Sequence, residues 1–255
     1  MNQAAFIDNW KFEEQQPFTG WDFSYLNGRM IDEQPNWSYS LRAAELLKQS
    51  SSVIDLDTGG GERFLELREH WPHKVVATEY YMPNFNLATE RLTPFGVEVL
   101  NVHLTDFGPM PLSDGEFDLV LNRHSAFNSN EVARILAQGG TFLTQQVHGL
   151  WAYDLLAAFD AQPQWPESTP EKYLALLSNA DLEIVNAQEW SGHLIFMDVG
   201  AIVYYLKVVP WLVPGFSVET HLKHLLNLQK QLEQNGMLSF VARKYIIEAY
   251  KVKIH

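Results

Sequence analysis

A short apolar run that ends in three consecutive glycines constrains this chain more than any other feature. The segment reads Val53-Ile-Asp-Leu-Asp-Thr-Gly-Gly-Gly-Glu62. A run this short, stopped by glycine, predicts a buried strand over Ser52 to Leu56. The stretch Glu62 to His70 predicts a helix, with Phe64, Leu65 and Leu67 apolar and Pro72 just beyond. Glycine accepts positive φ and adds no side chain, so backbone at such a turn can approach a ligand closely. The free N–H groups of the following helix face the same place. A tight strand–helix turn without a ligand needs the same glycines, so the turn alone does not decide.

The sequence around it repeats the rhythm. Val75 to Thr78 reads as a second strand and Pro83 to Leu92 as a second helix. Val97 to Leu104 follows as a loosely alternating strand, then Phe117 to Leu121 as another. Asn130 to Ala137 reads as a helix ended by Gly139-Gly140, and Thr141 to Val147 as the strand after it. Alternation of this kind builds βαβ units with right-handed crossovers. Tyr39 to Lys48 predicts a short helix ahead of the first strand. Beyond residue 180, Leu182 to Trp190 reads as a strand and Asp198 to Val209 as an aromatic helix or lid. A long helix runs from Ser217 to Gly236, and a closing strand from Leu238 to Tyr250. Residues 1–37 carry Trp10, Phe12, Phe18, Trp21, Phe23, Tyr25 and Trp37 with little periodicity, which predicts an irregular lid or arm. The expected organisation is one domain: the arm at 1–37, a cofactor-binding core at 38–150, and acceptor-side helices with closing strands at 151–255.

Acids fall where such a sheet places ligands, at the carboxyl ends of its strands. Asp55 lies in the first strand, Glu79 ends the second and Asp106 ends the third. Glu79 stands 24 residues beyond Asp55, where an acid can accept from both ribose hydroxyls of a nucleoside. A carboxylate at Asp106 can accept from an adenine amino group. Taken one at a time, each is also an ordinary solvated residue at a strand end.

The ordered set of Val53 to Gly61, Glu79, Thr105-Asp106, Phe117-Asp118-Leu119-Val120 and Gly139-Gly140-Thr141-Phe142 resembles the motifs of class I S-adenosylmethionine-dependent methyltransferases. The resemblance covers residues 40–150, and the strand–helix–strand tail is similar to the family's closing reversed hairpin. It implies a doubly wound α/β fold, with a mostly parallel seven-stranded sheet, helices on both faces and an antiparallel closing strand. It implies S-adenosyl-L-methionine as the cofactor. Asp55, Gly59 and Gly61 would shape the methionine-side pocket, and Asp57 and Thr58 of the same turn would also be cofactor-binding residues. Glu79 would hold the ribose, with Tyr80 beside it among the cofactor-binding residues, Asp106 with Phe107 the adenine, and Asn122 would border the transferred methyl. One position departs from the family: Asp57 stands where glycine is usual. Asp tolerates left-handed backbone angles better than most residues, so the turn can still form. Its carboxylate would attract the ammonium and sulfonium of the cofactor and repel its carboxylate.

Methyl transfer from a sulfonium needs positioning and exclusion of water more than acid–base help. Asn122-Arg123-His124 follow the fourth strand of the motif set. His124 is the expected base, with a pKa near neutral. Arg123 is the expected clamp for an acceptor carboxylate or phosphate. Both residue types also satisfy carbonyls at strand ends. His148 and His193 are further candidates, and Trp10, Trp21, Tyr25, Trp37, Trp151, Tyr153, Tyr204, Tyr205 and Trp211 are either walls of an acceptor site or ordinary packing.

Composition narrows the partners. The 255 residues include no cysteine, which excludes disulfides, thiolate zinc sites and cysteine nucleophiles. Nine histidines without a paired spacing point away from a metal site. A net charge of −13, from 18 basic and 31 acidic residues, argues against nucleic acid and anionic membranes. Met1 to Gln16 lacks the apolar core of a signal peptide. The apolar stretch Val199 to Val213 is broken by Gly200, Lys207 and Pro210, and is shorter than the roughly 20 residues that cross a bilayer. The expectation is a cytoplasmic methyltransferase acting on a small-molecule acceptor, with a homodimer left open. Three alternatives stay open. One is a non-catalytic cofactor-binding or interaction protein on the same fold. Another is an RNA methyltransferase. The last is an NAD(P)-dependent oxidoreductase, although Phe64 stands where Gly-x-Gly-x-x-Gly needs its third glycine.

Overall fold

The computed structural model describes residues 3–103 and 109–253. Asp106 and Phe107 lie outside the described residues. Eight strands form one sheet among the described residues, in the order β1-β7-β8-β6-β5-β2-β3-β4. They are β1 (Met30–Asp32), β2 (Ser52–Leu56), β3 (Lys74–Thr78), β4 (Glu98–Leu100), β5 (Phe117–Arg123), β6 (Leu136–Val147), β7 (Leu182–Phe196) and β8 (Leu238–Lys251). The expected seven strands are joined by three-residue β1, which pairs antiparallel with β7. The chain divides into two compact units, each assembled from three separate stretches.

The first unit comprises 36–147, 168–189 and 244–255. Here β4, β3, β2, β5 and β6 pair in parallel, and β8 runs antiparallel to β6. Alternate residues of each strand enter two different apolar cores, as a pleated strand requires. Val53, Leu119, Leu121, Leu143 and Ile246 pack with α2 (Tyr39–Leu47), α3 (Glu62–Leu65) and α4 (Met82–Leu92). Ile54, Val120, Phe142, Tyr245 and Ile247 pack with α5 (Ser129–Ile135) and α7 (Pro170–Asn179). Helices therefore cover both faces. Ser38 caps α2 by accepting from the Leu41 amide, and Thr169 caps α7 in the same way from Lys172.

Two elements differ from expectation here. The helix expected over Glu62 to His70 is a four-residue turn, α3, followed by a 3₁₀ turn at Arg68–His70. Pro72 forces Trp71 to an extended ψ of 138°, and Trp71 folds its ring back to 4.9 Å from that of Phe64. Gly139-Gly140 does not end a helix; both glycines lie inside β6. Any side chain at Gly140 would meet the Ala137 and Asp118 carbonyl oxygens at 2.9 and 3.0 Å, so the close approach of neighbouring backbone requires glycine.

The second unit comprises 1–35, 148–167 and 190–243. It is built on α8 (Val199–Val208), in which every residue but Lys207 is buried. A helix apolar on all sides is an interior helix, so this segment is the centre of its unit and not a lid. Around it lie α6 (Tyr153–Ala157) and α9 (Leu222–Asn235), the latter starting five residues later than Ser217 and ending at Gly236 as expected. The N-terminal stretch is not wholly irregular: Gln3–Glu14 form helix α1. Its pattern is weak because it buries only Trp10 and Glu13. Glu13 shares Arg29 with Asp198, which grips the guanidinium through contacts of 2.7 and 2.9 Å and caps α8 through the Ala201 amide.

Trp10 is 1% exposed, so Trp10→Ala should cost about 3–5 kcal/mol of unfolding free energy. A denaturant melt checks this; an unchanged midpoint would mean that α1 is not part of this core.

Candidate functional site

The site is assembled in the first unit from the carboxyl ends of β2, β3, β5 and β6. Register fixes which residues meet there. Leu56 faces Asn122, Asn122 faces Thr144, and Arg123 faces Gln145. The glycine turn is tied to β3 by two bonds: the Asp57 amide donates to Thr78 Oγ1 at 3.0 Å and the Thr58 amide to the Thr78 carbonyl at 2.8 Å. Asp57 has φ +53°, so the residue that replaces the family's glycine adopts the left-handed conformation that glycine would. Gly59 and Gly61 also have positive φ, 64° and 80°. Gly61 lies so close to Leu92 that a Cβ would approach its side chain at 2.9 Å. Arg91, from α4, donates to the Gly60 carbonyl and pairs with Glu62 at 2.6 Å, bracing the turn from behind.

Three carboxylates surround this turn. Burial pushes Asp55 up to about 7, helped by the charge of Asp57 and opposed by that of Arg123. Burial pushes Asp57 up to about 6 against the stabilising bond from Ser125. Burial also raises Glu79, which is 6% exposed and accepts from the Tyr81 amide at 2.7 Å. Ser125 Oγ donates to Asp57 Oδ2 at 2.6 Å, while Asp57 Oδ1 is buried without a hydrogen-bond partner. A carboxylate oxygen left unpaired in a confined site is a place for a cationic ligand group. That observation fits S-adenosylmethionine, which carries an ammonium and a sulfonium, beside glycine backbone and a buried acid.

The other expected residues sort as follows. Tyr80 is exposed, and its ring meets that of His103 edge-on at 4.4 Å. Asn101 fixes the same loop by donating to the Glu79 and Tyr80 carbonyls. Asn122 is fully buried and spends its side chain within the sheet. Its Oδ1 accepts from Thr144 Oγ1 at 2.9 Å and from Gln146 Nε2 at 2.6 Å. Gln146 also donates to the Ser125 carbonyl, so this network holds the residue that holds Asp57. Arg123 ends β5, and its charge acts on Tyr39, Asp55 and His124. His124 is solvent-accessible, has φ +59° and contacts Gln145. Desolvation and the cations Arg123, Lys244 and Arg63 push it well below the ordinary histidine range. His148 and His193 belong to the second unit, where His148 accepts from the Leu150 amide and His193 pairs with Glu33. Trp10, Tyr204 and Tyr205 are core residues of that unit, and Trp151 donates to Tyr205.

Tyr39, Ser125, Gln145 and Gln146, which the sequence did not single out, complete the site beside Trp37, expected as a wall or ordinary packing.

Residues 54–144 match the model of a methyltransferase domain, a span that starts in β2 and ends in β6. Among curated proteins no sequence relative matches. Solved structures share the fold at low identity. One, from Bacillus halodurans C-125 and provisionally described as a methyltransferase, is 18% identical with a TM-score of 0.59, over 84% of this chain and 97% of that one. Geranyl diphosphate C-methyltransferase from Streptomyces coelicolor A3(2), solved with Mg2+, geranyl diphosphate and S-adenosyl-L-homocysteine, is 14% identical with a TM-score of 0.51 over 98% of each chain. The cyclase SpnF is 14% identical with a TM-score of 0.51, over 89% of this chain and 88% of that one. At such identities the likeness is one of fold.

The raised acids set a pH dependence. The folded values of about 7 and 6 lie above the ordinary 3.8, so the folded chain binds more protons than the unfolded one between those values. Stability without cofactor therefore falls as pH rises through about 4 to 7. Asp57→Asn should melt like wild type near pH 4 and progressively higher than wild type towards pH 8. Parallel melting curves at every pH would contradict the burial of this carboxylate.

Proposed function

We propose that this chain, whose residues 54–144 match the model of a methyltransferase domain, uses S-adenosylmethionine to methylate a small molecule. The observation that carries the reading is the convergence of Asp55, Asp57 and Glu79 on a glycine turn with positive φ at Asp57, Gly59 and Gly61. When bound, the cofactor supplies a methyl group activated on a sulfonium. Asp57 Oδ1 and Asp55 offer negative charge to its cationic groups, and the turn's backbone lies open for close approach. Glu79 is held to accept from ribose hydroxyls. Asp106 and Phe107 keep the adenine role that the resemblance implies.

This chain's share of the chemistry is electrostatic and geometric. Ser125 and Gln146 fix the Asp57 carboxylate, so little reorganisation is needed when a cation arrives. Arg123 supplies the positive charge that would orient an acceptor oxyanion. A net charge of −13 favours a small acceptor over a polyanion, and the reading places the protein in the cytoplasm. No helix among the described residues is long and apolar enough to cross a membrane.

A second reading rests on Asp57: a protein that binds the cofactor without transferring its methyl. The cyclase SpnF is a neighbour whose name is not that of a methyltransferase. Thermal shift separates the readings. S-adenosylmethionine or S-adenosylhomocysteine at 100 times its dissociation constant adds about 2.7 kcal/mol, a rise of roughly 5–10 °C for a chain this size. NAD and NADP should give none. Absence of a shift with the first two would remove both readings, and a shift without turnover on any acceptor would favour the second.

Glu79→Ala should weaken cofactor binding by about 1–3 kcal/mol, roughly 5- to 150-fold, while the protein stays folded. Calorimetry checks this, and unchanged affinity would displace Glu79 from the ribose.

A further inference from the structure

Gln145 connects two ring systems through opposite ends of one amide. Its Oε1 accepts from Trp37 Nε1 at 2.9 Å, and its Nε2 lies 3.0 Å from His124 Nε2. Indole nitrogen is a donor only, so the amide oxygen must face Trp37 and the NH2 must face the histidine. An amide NH2 donates only. His124 Nε2 must therefore be the bare ring nitrogen, and a neutral imidazole with bare Nε2 carries its hydrogen on Nδ1. Gln145 is 5% exposed, so its amide has no solvent to turn to. The backbone adds to the restraint, because the His124 amide donates to the Gln145 carbonyl at 2.8 Å while His124 sits at φ +59°. A strained backbone kept in place by two bonds to one partner marks a residue whose direction matters. The charged groups acting on the ring are Arg123, Lys244 and Arg63, all cations, and each opposes a second proton. Among the described residues Nδ1 has no hydrogen-bond partner, and the residue is solvent-accessible.

We propose that Trp37 and Gln145 lock His124 as the neutral Nδ1–H tautomer, making it a hydrogen-bond donor to the methyl acceptor instead of a general base. The donor role rests on the methyltransferase reading; the locked tautomer does not. Trp37 and Gln145 are positioning residues in this scheme. With Arg123 next in sequence, the pair suits an acceptor that presents a carboxylate or carbonyl oxygen. Any proton lost by the acceptor leaves by a route other than His124.

Long-range ¹H–¹⁵N spectra of the full chain test the lock without cofactor or acceptor, so its failure is distinct from failure of the methyltransferase reading. Wild-type His124 should show a pyridine-like Nε2 and a pyrrole-like Nδ1 throughout about pH 5 to 8, with no titration. Gln145→Glu places a carboxylate between the two rings. It should accept from both, move the proton to Nε2 and make His124 titrate above its wild-type midpoint. Trp37→Phe frees the amide to turn and should give a mixture of tautomers in a folded protein. A protonated Nε2 in wild type, titration there near the ordinary histidine value, or a tautomer unchanged in both variants would overturn the proposal.

Discussion

The carboxyl edge of the parallel sheet depends on one buried polar cluster. Leu56, Asn122 and Thr144 share a rung across β2, β5 and β6, and Asn122 binds both Thr144 and Gln146. Buried amides and hydroxyls are costly unless paired, so a sheet that carries them there must hold its register. From Gln146 the cluster reaches the Ser125 carbonyl, and from Ser125 Oγ the Asp57 carboxylate. The loop after β5 and the glycine turn after β2 are thereby fixed relative to each other, and the acid in the turn does not need to be ordered by a ligand.

The second layer of control lies on the other side of the strand. Gln145 and Gln146 are neighbours in β6, and successive residues of a strand point to opposite faces. One amide serves the acids of the turn and the other serves Trp37 and His124. The same two-residue period that sends Phe142 and Leu143 to different cores divides the site into a carboxylate side and a histidine side. A one-residue slip of β6 would exchange both.

Much of this was legible from local pattern. The strand at 52–56, the glycine turn and the sheet of alternating βαβ units follow from short-range sterics and hydrophobic period, which act within a few residues. The left-handed angle at Asp57 was readable too, because residue type and motif position demand it. Helix α1 was not legible, since it buries only Trp10 and Glu13 and shows little amphipathic pattern. Nor was the short reach of α3, because Trp71 turning onto Phe64 competes with helix continuation. The segment of α8 read as a helix or a lid, and its interior place was not legible because an all-apolar segment does not state which element covers it.

By itself the sequence determined that a glycine cradle with acids at neighbouring strand ends would be built. Those features lie within runs of a few residues and need only strand, turn and helix to form. The tertiary structure alone decided how the acids are charged and which nitrogen of His124 can bear a proton. Burial raised Asp55 and Asp57, and burial is a property of the folded surface. Trp37 and Gln145 are 108 residues apart in the chain and Gln145 is 21 from His124. Their hydrogen bonds exist only because pairing of β5 with β6 and packing on the sheet bring them together, and no local pattern encodes a partner at that distance.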